Sequence, residues 1–273
     1  MQNGLFLFFL LPLPLTAQSV STLMGARAAG MGYASACLQD EWALFNNVAG
    51  LTGQTEFAAS ISYHLQPQLP GGNRMASLII LPLPVGIASA GVFRFGDDLY
   101  HEQLACAGFA HALGIASLGI KMTYIQYFAE GIGTQTAWGI NLGGIAQLTP
   151  VLKFGAYIIH INQPKLSNSG NEHLDPLFLA GFSYSPAQKA TLSAELEKRL
   201  HYPSAWKSGF EYQFNKKFSF RTGFQLNPDQ AFLGLGFQTK KIHWIYASQF
   251  HPVWGISHQL TVTLLPMPPA PIR

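Results

Sequence analysis

The strongest constraint on the fold is that the chain is very apolar yet lacks any run of residues able to cross a membrane as a helix. The longest apolar run after residue 20 covers residues 78–92 and is interrupted by two prolines and two glycines. A spanning helix needs about 20 consecutive apolar residues. With 11% charged and 48% hydrophobic residues, the chain has too few charges to cover a water-soluble globule. Because lipid tolerates only helices and closed barrels, the sequence predicts an all-β transmembrane barrel.

Segments of about ten residues with alternating side chains support this prediction. In residues 205–214, Trp206 and Phe210 share one face, while Lys207 and Glu211 share the other. We expect apolar faces against lipid and polar faces toward the lumen. The longest connection, 163–176, is polar and is expected to be an exposed loop. The pattern predicts an antiparallel up-and-down barrel of about 14 strands, at residues 55–66, 74–82, 85–95, 101–112, 115–128, 135–148, 151–162, 177–185, 189–199, 205–214, 218–226, 230–239, 242–250 and 257–265.

The two ends of the chain differ from this pattern. Residues 5–15 are an apolar run of Leu and Phe followed by small and polar residues, which predicts a secretory signal peptide over residues 1–18. No Lys or Arg precedes the run, so a buried strand or a short anchor is the alternative. We assign residues 19–54 to an N-terminal plug segment and 55–265 to the barrel. The proline-rich residues 266–273 are expected to be a periplasmic tail, either an unstructured end or a partner contact.

Loop lengths predict how charged side chains meet inside the barrel. A three-residue loop at 215–217 keeps the polar faces of the two flanking strands on the same side, and a five-residue loop at 200–204 does the same for the preceding pair. We interpret the charged side chains of these strands as structural ion pairs rather than as the lining of an ion-selective channel. We therefore predict two lumenal ion pairs, Glu211 with Arg221 and Glu197 with Lys207.

The sequence contains no recognisable catalytic motif, metal motif or cofactor motif. Glu195 and Glu197 share a strand face about 7 Å apart, which superficially suits an acid/base pair, but with Arg199 beside them they are interpreted as structural lumenal charges. Cys37 and Cys106 are expected to be buried small residues, with a disulfide between plug and wall as the alternative. The net charge of +3 is small and the basic residues are scattered, which argues against nucleic acid as a partner.

Residues 25–51, GARAAGMGYASACLQDEWALFNNVAGL, resemble the N-terminal signature of the FadL-like outer-membrane barrels, particularly the PorV/PorQ group of Bacteroidota. Asn47 and Val48 depart from the pattern, because the usual proline is missing. The closing strands, residues 245–265, are similar as well, so the resemblance covers nearly the whole mature chain. The residues that match the signature are Gly25, Arg27, Gly30, Met31, Gly32, Ala34, Asp40, Asn46, Ala49, Gly50 and Leu51.

The plug assignment has a physical basis beside this resemblance. The many small residues of 25–36 permit close packing, and residues 40–45 can form a short helix. Such a compact piece fits inside the barrel, as the hatch of the family does, with Arg27 and Asp40 anchored on polar wall residues. A periplasmic tail is the alternative.

The resemblance implies a multi-pass protein of the Gram-negative outer membrane that is not an enzyme and needs no cofactor. The first functional hypothesis is a structural or adaptor barrel for type IX protein secretion or another outer-membrane assembly, with membrane lipid and other outer-membrane or secretion-system proteins as partners. The alternative is a FadL-like channel for hydrophobic small molecules, which needs an apolar pocket inside. A general porin needs a wide open channel, which a plugged barrel lacks.

Overall fold

The computed structural model describes residues 21–167, 173–200 and 202–265, and they form a closed antiparallel barrel of 14 strands around an N-terminal segment. Each strand pairs with its neighbours in sequence, and the last strand closes on the first. This confirms the predicted fold class. The strands are β1 (Ala58–Leu65), β2 (Arg74–Leu83), β3 (Gly86–Gly96), β4 (Tyr100–Leu113), β5 (Ala116–Ala129), β6 (Gly133–Thr149), β7 (Leu152–Ile159), β8 (Leu177–Ala187), β9 (Ala190–Arg199), β10 (Ala205–Gln213), β11 (Phe218–Leu226), β12 (Gln230–Gln238), β13 (Ile242–His251) and β14 (Gly255–Leu264).

The alternation of side chains places the two faces as the sequence predicts. In β10, Trp206 is 57% exposed on the outside, whereas Lys207 and Glu211 are buried in the lumen. Outward positions of the other strands are also mainly large and apolar, with Ile120 and Leu235 as examples. An outer surface of this kind is suited to lipid rather than to water.

The connection between β7 and β8 exposes its polar residues Gln163, Lys165, His173 and Asp175, as predicted, but it also packs on the barrel. Its backbone pairs with the outer half of β6, where Ile161 N donates to Ile140 O at 2.9 Å. Pro164 and Pro176 are buried, and Leu174 packs against the lumenal core. The loop therefore covers the part of β6 that extends beyond the short strand β7.

The two ends of the barrel have different connections. At one end the strands are far apart in sequence between β1 and β2 and between β7 and β8, whereas the other end has two-residue turns at 84–85, 114–115 and 150–151. Bacterial barrels have short periplasmic turns and longer external loops. We therefore take the end with the long loops as the external end; the start of β1 and the end of β14 lie at the opposite end.

Residues 21–54 run through the lumen from the external end to the periplasmic end. Near the external end, Ser21 O accepts a hydrogen bond from Arg74 Nη1 at 3.1 Å, and near the other end Thr52 Oγ1 donates to Ser117 Oγ at 2.9 Å. The segment contains helix α1 (Ala26–Gly30) and the 3-10 helices Glu41–Leu44 and Val48–Gly53. The first 3-10 helix lies within the predicted residues 40–45. We refer to residues 21–54 as the plug.

The expectations for a signal peptide over residues 1–18 and a proline-rich tail over residues 266–273 lie outside the described residues. None of the helices in the described part has the length and apolarity that a membrane crossing requires.

Candidate functional site

The wall of the barrel makes room for the plug with glycines on its inward face. A Cβ atom added at Gly209 would lie 2.6 Å from the Cβ of Met31, and one added at Gly119 would lie 2.7 Å from the backbone N of Ala49. Real Cβ atoms do not approach other atoms this closely, so the plug backbone can sit there only because the wall has no side chain. Six further wall glycines are in similar contact with the plug: Gly91, Gly108, Gly143, Gly155, Gly223 and Gly234.

Apolar side chains of the plug form the lumenal core together with the wall. On the side of β1–β5, Phe45 is fully buried and its ring centroid lies 6.5 Å from that of Phe93. Trp42 packs beside it and donates its indole N–H to Ser60 Oγ at 3.0 Å. A second apolar cluster, around Met31, contacts β7, β8 and β12. The described part of the lumen is thus filled by the plug together with the wall side chains that pack on it.

A first charged cluster joins the plug to β10 and β11. Arg27 Nη2 lies 2.6 Å from Glu211 Oε2, and Arg27 Nη1 lies 3.5 Å from Asp40 Oδ2. Arg221 Nη2 lies 2.6 Å from the other Glu211 oxygen. Glu211 is directly opposite Arg221 in the ladder, the register that a three-residue loop gives. The structure thus brings the sequence-derived candidates Arg27, Asp40, Glu211 and Arg221 into one network.

A second charged cluster joins the plug to β9 and β10. Lys207 Nζ lies 3.1 Å from Glu195 Oε1 and 2.6 Å from Glu197 Oε2. The remaining oxygen of Glu195 accepts the backbone N–H groups of Ser35 at 2.9 Å and Ala36 at 2.6 Å. Both oxygens of Glu195 are therefore engaged, Oε1 with Lys207 of the wall and Oε2 with the plug backbone, which fits a structural carboxylate and not a general acid or base.

The predicted register between β9 and β10 is wrong by two residues. Lys207 lies opposite Glu195, and Glu197 lies opposite Ala205. A shift by two residues keeps every side chain on the same face, so the polar pattern alone could not distinguish the two registers. The pair Glu197 with Lys207 still forms, because the long lysine side chain reaches both carboxylates.

The other signature residues determine the fold of the plug itself. Gly25 and Gly32 have φ angles of 100° and 65°, a backbone conformation that favours glycine. Gly50 packs directly on the backbone of Leu38, and Asn46 Nδ2 donates to Met24 O at 3.0 Å. Gly30 approaches Gly234 of β12, and Met31 is fully buried.

Asn47 is a structural residue that the sequence reasoning treated only as a departure from the signature. Its Oδ1 accepts the N–H of Ala49 at 3.2 Å and caps the second 3-10 helix. Its Nδ2 donates to Ala36 O at 2.6 Å and to Gly144 O in the wall at 3.1 Å. The preference of Asn for the position before a helix was the available signal.

The two charged clusters of this lumen serve to hold the plug, since each of them joins plug groups to paired charges of the wall. In the described part of the chain, no group of three or more His, Cys, Asp and Glu side chains could hold a metal ion. The thiols of Cys37 and Cys106 are buried and free. Fold and lumen together define a membrane-spanning β-barrel closed by its own N-terminal segment.

A scan against protein-family models and a search of the curated proteins find no match. Among solved structures, the toluene transporter TodX of Pseudomonas putida has a TM-score of 0.65 at 11% identity, over 89% of this chain and 96% of that chain. The monoaromatic hydrocarbon channel CymD has a TM-score of 0.60 at 12% identity, over 90% and 97%. A FadL homologue of Pseudomonas aeruginosa has a TM-score of 0.60 at 12% identity, over 91% and 98%.

At these identities the likeness shows the fold alone. The fold is similar to that of TodX, CymD and the FadL homologue, and the sequence motifs resemble those of FadL-like barrels. The narrower resemblance to PorV/PorQ rests on the sequence motifs.

Proposed function

We propose that this protein is a non-catalytic outer-membrane channel for hydrophobic small molecules, closed by its N-terminal plug. The observation that carries the proposal is that the lumen is filled by a separate segment lying on inward-facing glycines. A barrel whose own wall side chains filled the lumen would have no route to open. Here, movement of the plug alone would vacate the space over the inward-facing wall glycines.

The apolar side of the lumen indicates the chemistry of the cargo. Leu44, Phe45 and Val48 pack against the apolar inner face of β2–β5, and the ionic clusters lie on the opposite side, at β9–β11. Displacement of these three side chains would expose a mainly apolar path, with the Lys121 ammonium at its side. TodX and CymD, which share the fold, are named for toluene and for monoaromatic hydrocarbons, so toluene is a suitable first probe.

The test uses a reversible lock on the plug. Cys37 lies against β8, where its thiol donates to Gly181 O at 3.5 Å, and Ser183, two residues further on, has its side chain buried in the lumen. Substitution Ser183→Cys is designed to form a disulfide with native Cys37 under oxidising conditions. We would measure uptake of labelled toluene by cells that contain the wild-type barrel, the locked barrel or no barrel.

We expect the wild-type barrel to raise uptake, the disulfide to abolish the increase and a reducing agent to restore it. The double variant Cys37→Ala/Ser183→Cys is the matched control and should be insensitive to oxidation. Equal uptake with and without the wild-type barrel, or equal uptake by oxidised and reduced Ser183→Cys barrels after the disulfide is verified by mass spectrometry, would refute plug-gated passage of this probe.

A second candidate is the adaptor function in type IX protein secretion or another outer-membrane assembly, with other outer-membrane proteins as partners. The observation that favours it is the filled lumen, since such a barrel can present its loops and outer surface without conducting anything. Affinity purification from the native membrane in mild detergent, followed by mass spectrometry, tests it. A stoichiometric protein partner would support the adaptor, whereas a solitary barrel that carries hydrophobic small molecules would support the channel.

A further inference from the structure

The outer surface of β1–β4 contains a depression made by small side chains. Ser77, Val92 and Ala105 are successive cross-strand partners on β2, β3 and β4, and Ala90 lies one outward position further along β3. Two adjoining cavities of about 380 Å³ and about 610 Å³ occupy the depression. Both are lined by Ile61, Ser77, Val92 and Ala105.

One end of the depression is polar, although it lies on the lipid-facing side. Arg94 is exposed there and has Gln103 of β4 as its cross-strand partner, and Gln103 is in turn opposite Gln126 of β5. All three residues line the smaller cavity. Within the described part of the chain, Arg94 forms no ion pair. Its unpaired, outward-facing guanidinium lies at one end of an otherwise mainly apolar groove.

The acidic residue of the adjacent turn does not neutralise Arg94. The Asp97 carboxylate accepts the backbone N–H of Tyr100 at 3.1 Å and that of Leu99 at 2.9 Å. These bonds lower the pKa of the Asp97 carboxyl and hold the carboxylate within its own turn. The guanidinium of Arg94 is therefore available to an external anion.

The position of the groove along the barrel identifies the leaflet. Arg94 is near the end of β3 that leads into the 97–99 turn, on the external side. Ala90 lies four residues further into the membrane, about 13 Å along the strand. A molecule with its charge on Arg94 and its apolar part over Ala90 and Ala105 would have the orientation of an outer-leaflet lipid.

We propose that this groove is a binding site for a phosphate-bearing anionic lipid of the outer leaflet. An acyl chain would fill the depression over Ser77, Ala90 and Ala105, and the phosphate would bind Arg94. The planar guanidinium matches phosphate oxygens with two parallel hydrogen bonds, and the Gln103 and Gln126 amides add neutral donors. The inference is independent of what the lumen carries, because the groove lies on the outside of the wall.

The experiment is a titration of the purified full-length barrel, stripped of lipid in detergent, with lipid A, monitored by native mass spectrometry. Wild-type protein is expected to bind one lipid A per barrel. Arg94→Gln removes the charge and Ala105→Leu fills the groove, and each should weaken binding at least about tenfold. Phosphatidylcholine, whose headgroup is zwitterionic, should bind more weakly to wild type and be insensitive to Arg94→Gln.

Ala194→Leu is the matched control, because Ala194 is an exposed outward alanine on β9, away from the groove. It should bind lipid A like wild type, and unchanged heat-modifiability on gels would show that all variants fold. Equal binding by wild type and Arg94→Gln would overturn the proposal, as would saturation without a preferred one-to-one complex. A dimer of the barrel that Ala105→Leu dissociates would also overturn it, since the occupant would then be a second copy.

Discussion

Arg27 of the plug and Glu211 of β10 form a two-point ion pair, with Nη2 to Oε2 at 2.6 Å and Nε to Oε1 at 3.2 Å. The same carboxylate binds Arg221 of β11. The side chain of Glu211 thus joins the plug helix to one neighbouring charge of the wall, Arg221. Because these groups are largely buried, removal of the shared carboxylate leaves charges without their partner, which costs more than the pair itself contributes.

We therefore expect Glu211→Gln to weaken attachment of the plug and to lower the free energy of unfolding by about 3 kcal/mol. Urea unfolding of the refolded barrel in detergent measures this change, and limited proteolysis reports whether the plug becomes accessible. Glu130→Gln, in an exposed external turn, is the control and should change neither. A Glu211→Gln barrel as stable and protease-resistant as wild type would show that the ion pair does not hold the plug.

Glu195 and Glu197 are expected to differ sharply, although both bind Lys207. The Glu195 side chain is 1% exposed and also accepts two plug N–H groups, whereas the Glu197 side chain is 24% exposed and lies outside this plug contact. Glu195→Gln should lower the free energy of unfolding by about 3 kcal/mol and Glu197→Gln by less than about 1 kcal/mol. The same urea titration compares them, and equal losses would contradict the assigned roles.

The strands could be predicted from the sequence because their side chains alternate between lipid-facing and lumen-facing positions over nearly the full length of each strand. Glu211 and Arg221 could be paired from a loop length, but Lys207 could not be assigned to Glu195 because a shift of two residues leaves the faces unchanged. The path of the plug through the lumen could not be predicted from the sequence either. Its contacts with Gly119 and Gly209 depend on which strands of the wall lie beside it in three dimensions. Asn47 shows the same limit, because its wall contact with Gly144 joins residues 97 positions apart.

The inward glycines provide a direct test of close plug packing. Gly119 of β5 faces the plug, whereas Gly144 of the neighbouring strand β6 faces outward, opposite the exposed Leu118. A Cβ at Gly119 would lie 2.7 Å from plug backbone, whereas the nearest atom to one at Gly144, a side-chain atom of Leu118, is 3.6 Å away. Gly119→Ala should therefore destabilise the barrel by about 1 to 3 kcal/mol or displace the plug. Gly144→Ala should be tolerated.

Planar-bilayer conductance distinguishes the two effects of Gly119→Ala, since a displaced plug raises the baseline current and a strained but closed barrel does not. Unfolding midpoints of both variants complete the comparison. Identical midpoints and currents for Gly119→Ala and wild type would mean that the plug is not packed as closely on β5 as the structure has it.

The last prediction concerns two buried lysines with opposite surroundings. Lys121 is 2% exposed and lies 5.9 Å from the Phe45 ring centroid, but the described residues give it no ion pair, whereas Lys207 binds two carboxylates. Replacing an unpaired buried ammonium with an apolar side chain of similar length removes a desolvation cost, so Lys121→Met should leave stability unchanged or raise it by about 1 kcal/mol. Lys207→Met leaves Glu195 and Glu197 uncompensated and should cost about 3 to 5 kcal/mol. Urea unfolding of the two variants side by side measures the difference, and a large loss for Lys121→Met would reveal an anionic partner for that lysine.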